Sequence, residues 1–112
     1  METDELLKEL VIEHLKSKYA KQYSEVIVSK HSSPNIILSN HGLKIAYICV
    51  ETEQTINENS KSLWTSISKE NVKLLLIVPA KSKSKVTSLL WDANLSTQVS
   101  IGTYEINISS PI

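Results

Sequence analysis

Two glutamates, Glu51 and Glu53, end a strongly apolar stretch of the chain, KIAYICVETE at residues 44–53. Side chains that are two residues apart in an extended strand point to the same face of the sheet. A strand that runs through residue 53 would therefore place both carboxylates beside Tyr47 and Cys49. Like charges at this spacing repel each other unless something positive lies between them. The pattern predicts that a metal ion, a lysine or solvent separates the two carboxylates.

Three helices are expected around this stretch. Leucines and valines at helical spacing predict an amphipathic helix from residue 4 to about residue 20, with Thr3 or Asp4 as its cap. A weaker pattern predicts a helix over residues 55–70, capped by Asn57 or Asn59. A short helix is expected over residues 82–93.

Apolar alternation and continuous apolar runs predict the strands. The element order is α-β-β-β-α-β-α-β, an α/β sandwich around a mixed sheet. Asn40, His41 and Gly42 supply a turn between two of the strands, which would form a hairpin over residues 34–51. The sheet is expected to contain residues 25–30, 34–39, 43–51, 73–78 and 98–107, with the 73–78 strand at its centre.

The composition places limits on partners. The 112 residues predict one domain, 1–112, and the formal net charge is zero, so a strong non-specific nucleic-acid binder is not expected from charge alone. All 12 basic residues are lysines. Lysine contacts phosphate as a point charge and lacks the planar fork of arginine that pairs with guanine. Any DNA or RNA partner would therefore be bound through its backbone rather than by its sequence.

A cytoplasmic protein is expected. The single cysteine, Cys49, cannot form an intramolecular disulfide, which fits a reducing compartment. No apolar run has the roughly 18 residues that a membrane span requires. The chain starts with acidic Glu2, Asp4 and Glu5, whereas a secretory signal starts with basic residues.

The segment SPNIILSNHGLKIAYICVETE resembles the core of the PD-(D/E)xK nuclease-like superfamily, which includes type II restriction enzymes and archaeal Holliday-junction resolvases. The predicted element order is similar to that of the family over nearly the whole chain. Pro34-Asn35 stands at the position of the family's Pro-Asp, and Glu51-Thr52-Glu53 stands at the position of its acidic-x-Lys. Two departures matter: Asn35 offers a neutral oxygen, and Glu53 replaces the motif lysine.

The resemblance implies a divalent-metal phosphodiesterase site. Glu51, Glu53 and Asn35 would be the metal ligands, and Mg²⁺ or Mn²⁺ is the metal that such oxygen ligands select. The family's glutamate on the first helix would be Glu9 or Glu13. Lys61 on the second helix is a candidate for the missing lysine. With both motif departures, the resemblance implies a degenerate nuclease-like protein with impaired catalysis.

Two alternatives use other residues. Lys81, Lys83 and Lys85 form either a solvated charged loop or a phosphate contact near a helix N-terminus. A non-catalytic interaction module, acting as a homodimer, is the alternative function, and the apolar residues Trp91, Leu95 and Ile101 are its candidate interface. In that case Glu51 and Glu53 mark only the point where a strand reaches solvent.

Overall fold

The computed structural model describes residues 2–105, with side chains from Asp4 onward. Residues 2–105 contain three α-helices, one short 3₁₀ helix and five strands. The helices are α1 (Glu2–Tyr19), α2 (Glu58–Ser68) and α3 (Lys83–Asp92), with a 3₁₀ turn at Ala80–Ser82 before α3. The strands are β1 (Glu25–Val28), β2 (Ile36–Asn40), β3 (Leu43–Val50), β4 (Lys73–Pro79) and β5 (Val99–Tyr104).

The predicted α/β class and element order are confirmed. The strands form one mixed sheet in the order β1-β2-β3-β4-β5, in which β1, β2 and β3 pair antiparallel and β3, β4 and β5 pair parallel. The 73–78 segment lies in β4, an interior strand between β3 and β5, whereas the middle strand of the five is β3. The part of the last predicted strand beyond Glu105, with Ile106, lies outside the described residues.

The sheet separates two apolar cores, as the alternation along β3 requires. Ile48 and Val50 point towards α1 and pack with Ile12 and Leu15. Tyr47 and Cys49 point the other way and pack with Trp64 of α2 and with α3. α1 covers β1, β2 and β3, and the opposite face of β4 and β5 is covered by α2 and α3.

Two local predictions are refined by the helix termini. Asn57 is the cap of α2: its side-chain oxygen accepts a hydrogen bond from the Asn59 backbone N–H at 2.8 Å, and Ser60 Oγ accepts one from the Asn57 N–H at 3.0 Å. This reciprocal pair is a capping box. α1 begins at Glu2, before both predicted caps.

Leu6 and Leu10 of α1, which the apolar pattern places with the core, are 63% and 66% exposed.

Candidate functional site

Glu51 and Glu53 do not form the shared acidic face that their spacing predicts. β3 ends at Val50, and residues 53–55 form a turn, so the strand geometry stops before it reaches Glu53. Glu51 is 6% exposed and points into the core that contains Trp64. Glu53 is exposed. The two carboxylates therefore lie in different environments.

The carboxylate of Glu51 accepts two hydrogen bonds within the protein. Thr55 Oγ1 donates to Oε1 at 2.7 Å, and Trp64 Nε1 donates to Oε2 at 3.4 Å. The Glu51 backbone is also bonded: its N–H donates to the carbonyl of Ile77 in β4 at 2.9 Å, and its carbonyl accepts from the Tyr104 hydroxyl at 2.8 Å. Glu51 thus connects the end of β3 to β4 and β5 through its backbone and to α2 through its carboxylate.

Burial raises the pKa values of Cys49 and Tyr104, which both lie near Glu51. Burial raises the pKa of the Cys49 thiol to about 12, and the negative charge of Glu51 adds to the effect. Burial also raises the pKa of Tyr104 to about 12, with further contributions from Asp4 and Glu51. Both groups are therefore neutral at physiological pH. Cys49 has no thiolate character there, which fits a core thiol rather than a nucleophile.

Asn35 uses its carboxamide to close the loop before β2. Its Oδ1 accepts from the Val50 backbone N–H at 2.9 Å, and its Nδ2 donates to the carbonyls of Ser29 at 3.0 Å and Ser32 at 3.3 Å. The side chain is fully buried. The oxygen that the resemblance assigns to a metal ion therefore satisfies a buried backbone N–H at the end of β3.

The first-helix glutamates lie on the other side of the sheet from the Glu51 carboxylate. Lys30 Nζ lies 3.8 Å from Glu9 Oε1 and 3.7 Å from Glu13 Oε2. α1 packs on the Ile48 and Val50 face, whereas the Glu51 carboxylate points to the Trp64 face. The structure therefore does not bring Glu9 to Glu51, because α1 and α2 lie on opposite faces of the sheet.

Two lysines contact carboxylates near the predicted site. Lys61 Nζ lies 2.6 Å from Glu58 Oε1, one turn away on α2, and the hydrogen bond that Lys61 donates to Glu58 raises the pKa of Lys61. Lys81 Nζ lies 3.0 Å from Glu53 Oε2. The lysine paired with Glu53 is thus Lys81, whereas Lys61 pairs with Glu58 of its own helix. Among residues 2–105, the structure contains no group of three or more histidine, cysteine or acidic side chains that could hold a metal ion.

The predicted lysine loop is largely helical. Lys81 belongs to the 3₁₀ turn, while Lys83 and Lys85 lie in the first turn of α3, and all three side chains are exposed. This turn follows β4 and lies at the same end of the parallel strands as Glu53. Three positive side chains therefore surround the start of a helix, where backbone N–H groups also favour anions.

The predicted apolar interface is only partly exposed. Trp91 is 73% exposed, whereas Leu95 is 4% exposed and belongs to the core under α3. Ile101 is half-buried against the same core. The position of Leu95 just after a predicted helix suggests a surface residue, but the turn after α3 returns it to the sheet.

The sequence did not indicate three residues that organise the Glu51 site. Thr55 and Trp64 bind the carboxylate, and Tyr104 binds the backbone of the same residue. Thr55 follows Glu51 by four residues, a spacing at which a hydroxyl can turn back to a carboxylate. Tyr104 is 53 residues away along the chain, and only the parallel pairing of β4 with β5 brings it close.

No family model, curated protein or solved structure shows a significant match to this chain. The structure itself shows an α/β fold with a mixed five-stranded sheet. Across the described part of the chain, no helix is both long enough and apolar enough to cross a membrane. The nuclease-like topology stays a prediction that rests on element order and on the residues at the motif positions.

Proposed function

We propose that this chain is a degenerate nuclease-like domain that contacts the phosphate backbone of nucleic acid in the cytoplasm without cleaving it. The observation that carries the proposal is the hydrogen bonding of Asn35 and Glu51. Both residues stand at motif positions that would bind a metal ion in the nuclease-like family. Both direct their side-chain oxygens to donors inside the protein.

A divalent metal ion would have to compete with this arrangement. Mg²⁺ requires near-octahedral oxygen ligands and retains several of its water molecules. Glu51 is buried beneath α2, and Asn35 Oδ1 satisfies the buried N–H of Val50. Turning Asn35 towards a metal would leave that N–H without its acceptor, at a cost of about 1–3 kcal/mol. This local cost favours an impaired site over an active one.

The lysines at the start of α3 support the binding part of the proposal. In the described part of the chain, neither Lys83 nor Lys85 forms an ion pair, and Lys81 pairs only with the exposed Glu53. Exposed pairs of this kind contribute about 0–1 kcal/mol, so a phosphate can replace Glu53 as the partner of Lys81. Lysine point charges favour backbone contact with no sequence preference.

Salt dependence tests the proposal. Affinity for a labelled DNA duplex should be modest and should fall steeply between low and moderate salt. Alanine at Lys81, Lys83 and Lys85 should reduce the slope of log affinity against log salt by roughly one unit for each phosphate that is no longer neutralised. A matched triple variant removes three lysines at the other end of the strands, namely Lys21, Lys69 and Lys73. Equal slopes for the two variants would contradict the proposed contact.

A second candidate function is a protein-interaction module. The observation that favours it is the pair of exposed leucines on α1, Leu6 and Leu10, beside an apolar groove that includes Leu10. Homodimerisation through Trp91 is a separate proposal. It predicts a concentration-dependent mass in sedimentation that Trp91→Ala removes, and a monomeric mass at all concentrations would contradict it.

A further inference from the structure

One face of the sheet is only half covered within the described residues. α1 lies over β1, β2 and β3, and beside it a groove of about 570 Å³ runs over β4 and β5. One wall of the groove is the side of α1, and its floor is formed by the two strands. The apolar lining residues include Leu7, Leu10, Val11, Leu75 and Ile77, with Gly102 in the floor.

Gly102 keeps the floor of the groove low. A Cβ atom at this position would lie 2.8 Å from Ile77 Cδ1, closer than side chains pack, so β5 carries no side chain there. Neighbouring strands are about 4.8 Å apart, so β4 and β5 together offer a strip roughly 10 Å wide. Packed helices lie about 8–10 Å from each other. The strip beside α1 therefore has the width of one further helix.

The charged residues that line the groove have opposite signs at its two ends, and Lys81, which lines the adjoining hollow with Glu105, is ion-paired with Glu53. Glu105 lines the end at the carboxyl end of β5, and Asp4 lies close enough to the adjacent Tyr104 to contribute to its raised pKa. Lys18 lines the other end. From Leu7 to Lys18 the wall of α1 extends for roughly 16 Å at about 1.5 Å per residue, or three helical turns.

We propose that the groove binds an amphipathic helix of another protein, antiparallel to α1, with its acidic first turn at Lys18 and its basic last turn at Asp4 and Glu105. Helices commonly carry acidic residues in the first turn and basic residues in the last, because these charges complement the helix dipole. An antiparallel helix of this ordinary kind matches both charged ends of the groove. Its apolar face would cover Leu10, Val11 and Ile77.

The same charges disfavour a second copy of this chain as the occupant. Two copies could pack face to face so that α1 of each copy lies in the groove of the other. The two-fold axis of such a dimer runs parallel to the helices. The two helices are then parallel. Asp4 would face Asp4 of the other copy, and Lys18 would face Lys18. Like charges would meet at both ends of the interface, and such contacts destabilise it.

Two synthetic peptides of roughly 14 residues, about four helical turns, test the proposal. Both carry leucines along one face. The first has glutamates in its first turn and lysines in its last turn, and the second has these charges exchanged. With the full-length protein in fluorescence anisotropy, the first peptide should bind about tenfold more tightly than the second. The double variant Asp4→Lys with Lys18→Glu should invert this preference.

Two exposed leucines give a matched pair of variants. Leu10 in the groove is 66% exposed, and Leu43 in the β2–β3 hairpin is 68% exposed. Neither change removes a core residue, so both variants should fold. Leu10→Glu should abolish peptide binding, and Leu43→Glu should leave it unchanged. This test is independent of the lysines at the start of α3, so it can fail while the proposed nucleic-acid contact holds.

Several results would overturn the proposal. The first is no binding of either peptide at about 1 mM, the weak limit of specific recognition. The second is equal affinity for both peptides, with no response to the charge reversal. The third is a dimer in sedimentation that Leu10→Glu dissociates, which would make a second copy the occupant. The fourth is a gain in peptide affinity when Ile106 and Ile108 are changed to aspartate, which would assign the groove to the chain's own last residues.

Discussion

Glu51 and Glu53 differ in environment although they are two residues apart. Glu51 is buried and accepts hydrogen bonds from Thr55 and Trp64, whereas Glu53 is exposed and pairs with Lys81. The cause of the difference is the end of β3 at Val50, after which the chain turns. Two acidic residues at the end of a strand therefore share one face of the sheet only if the strand continues through both of them.

Asn35 is buried, as Glu51 is. Its side-chain amide takes the place of strand pairing at this point. Oδ1 accepts a hydrogen bond from the Val50 N–H, and Nδ2 donates to two loop carbonyls. Asn35 and Glu51, two of the three residues that the resemblance assigns to metal binding, therefore stabilise the junction of β2, β3 and the preceding loop. The exposed charges at the same end of the strands, with Lys81 among them, are those that the proposed phosphate contact uses.

The largest effect is expected for Asn35→Ala. The change removes three hydrogen bonds and leaves the buried Val50 N–H without an acceptor, so the free energy of unfolding should fall by about 3 kcal/mol. The control is Asn40→Ala at the other end of β2, where Oδ1 accepts one exposed bond from the Ser24 N–H at 2.9 Å. Removing this bond should cost about 1 kcal/mol or less. Urea denaturation of both variants measures the difference, and equal destabilisation would contradict a structural role for Asn35.

The second prediction compares the two glutamates directly. Glu51→Ala removes the acceptor of Thr55 and Trp64 and leaves a small cavity, so it should destabilise the fold by about 2 kcal/mol. Glu53→Ala breaks one exposed ion pair and should change stability by less than about 0.5 kcal/mol. Thermal denaturation at equal protein concentration separates the two. If Glu53→Ala costs as much as Glu51→Ala, the distinction between a buried and a surface carboxylate is wrong.

The third prediction concerns alkaline pH. Cys49 and Tyr104 have folded-state pKa values of about 12, above their ordinary values of 9.0 and 10.0. Above these ordinary values the unfolded chain loses protons that the folded protein keeps, so stability is full below about pH 9 and falls as the pH rises towards 12. Cys49→Ala should flatten this fall more than Tyr104→Phe, because Tyr104 is only half-buried. Urea midpoints at pH 7, 9 and 10.5 measure it, and a flat wild-type profile would refute it.

The sequence predicted the elements well and the site poorly, for physical reasons. Helices and strands follow from local periodicity, and the alternation along β3 correctly separated Cys49 from Val50. The surroundings of the residues at the end of β3 depend instead on Asn35, Ile77 and Tyr104, which contact Val50 or Glu51 from three other segments. Such long-range bonds leave no periodic signal. The resemblance groups Glu9 with Glu51, whereas the structure separates them, because the sequence does not show which face of the sheet α1 covers.

The central claim is that Asn35 and Glu51, which stand at motif positions, stabilise the fold and do not catalyse. It is tested most directly by incubating the wild-type protein with labelled single-stranded, duplex and branched DNA in Mg²⁺ or Mn²⁺, at low salt where binding is verified by anisotropy. We expect bound but intact DNA, with the same affinity when EDTA replaces the metal. Cleavage that requires the metal and disappears in a folded Glu51→Gln variant would contradict the claim.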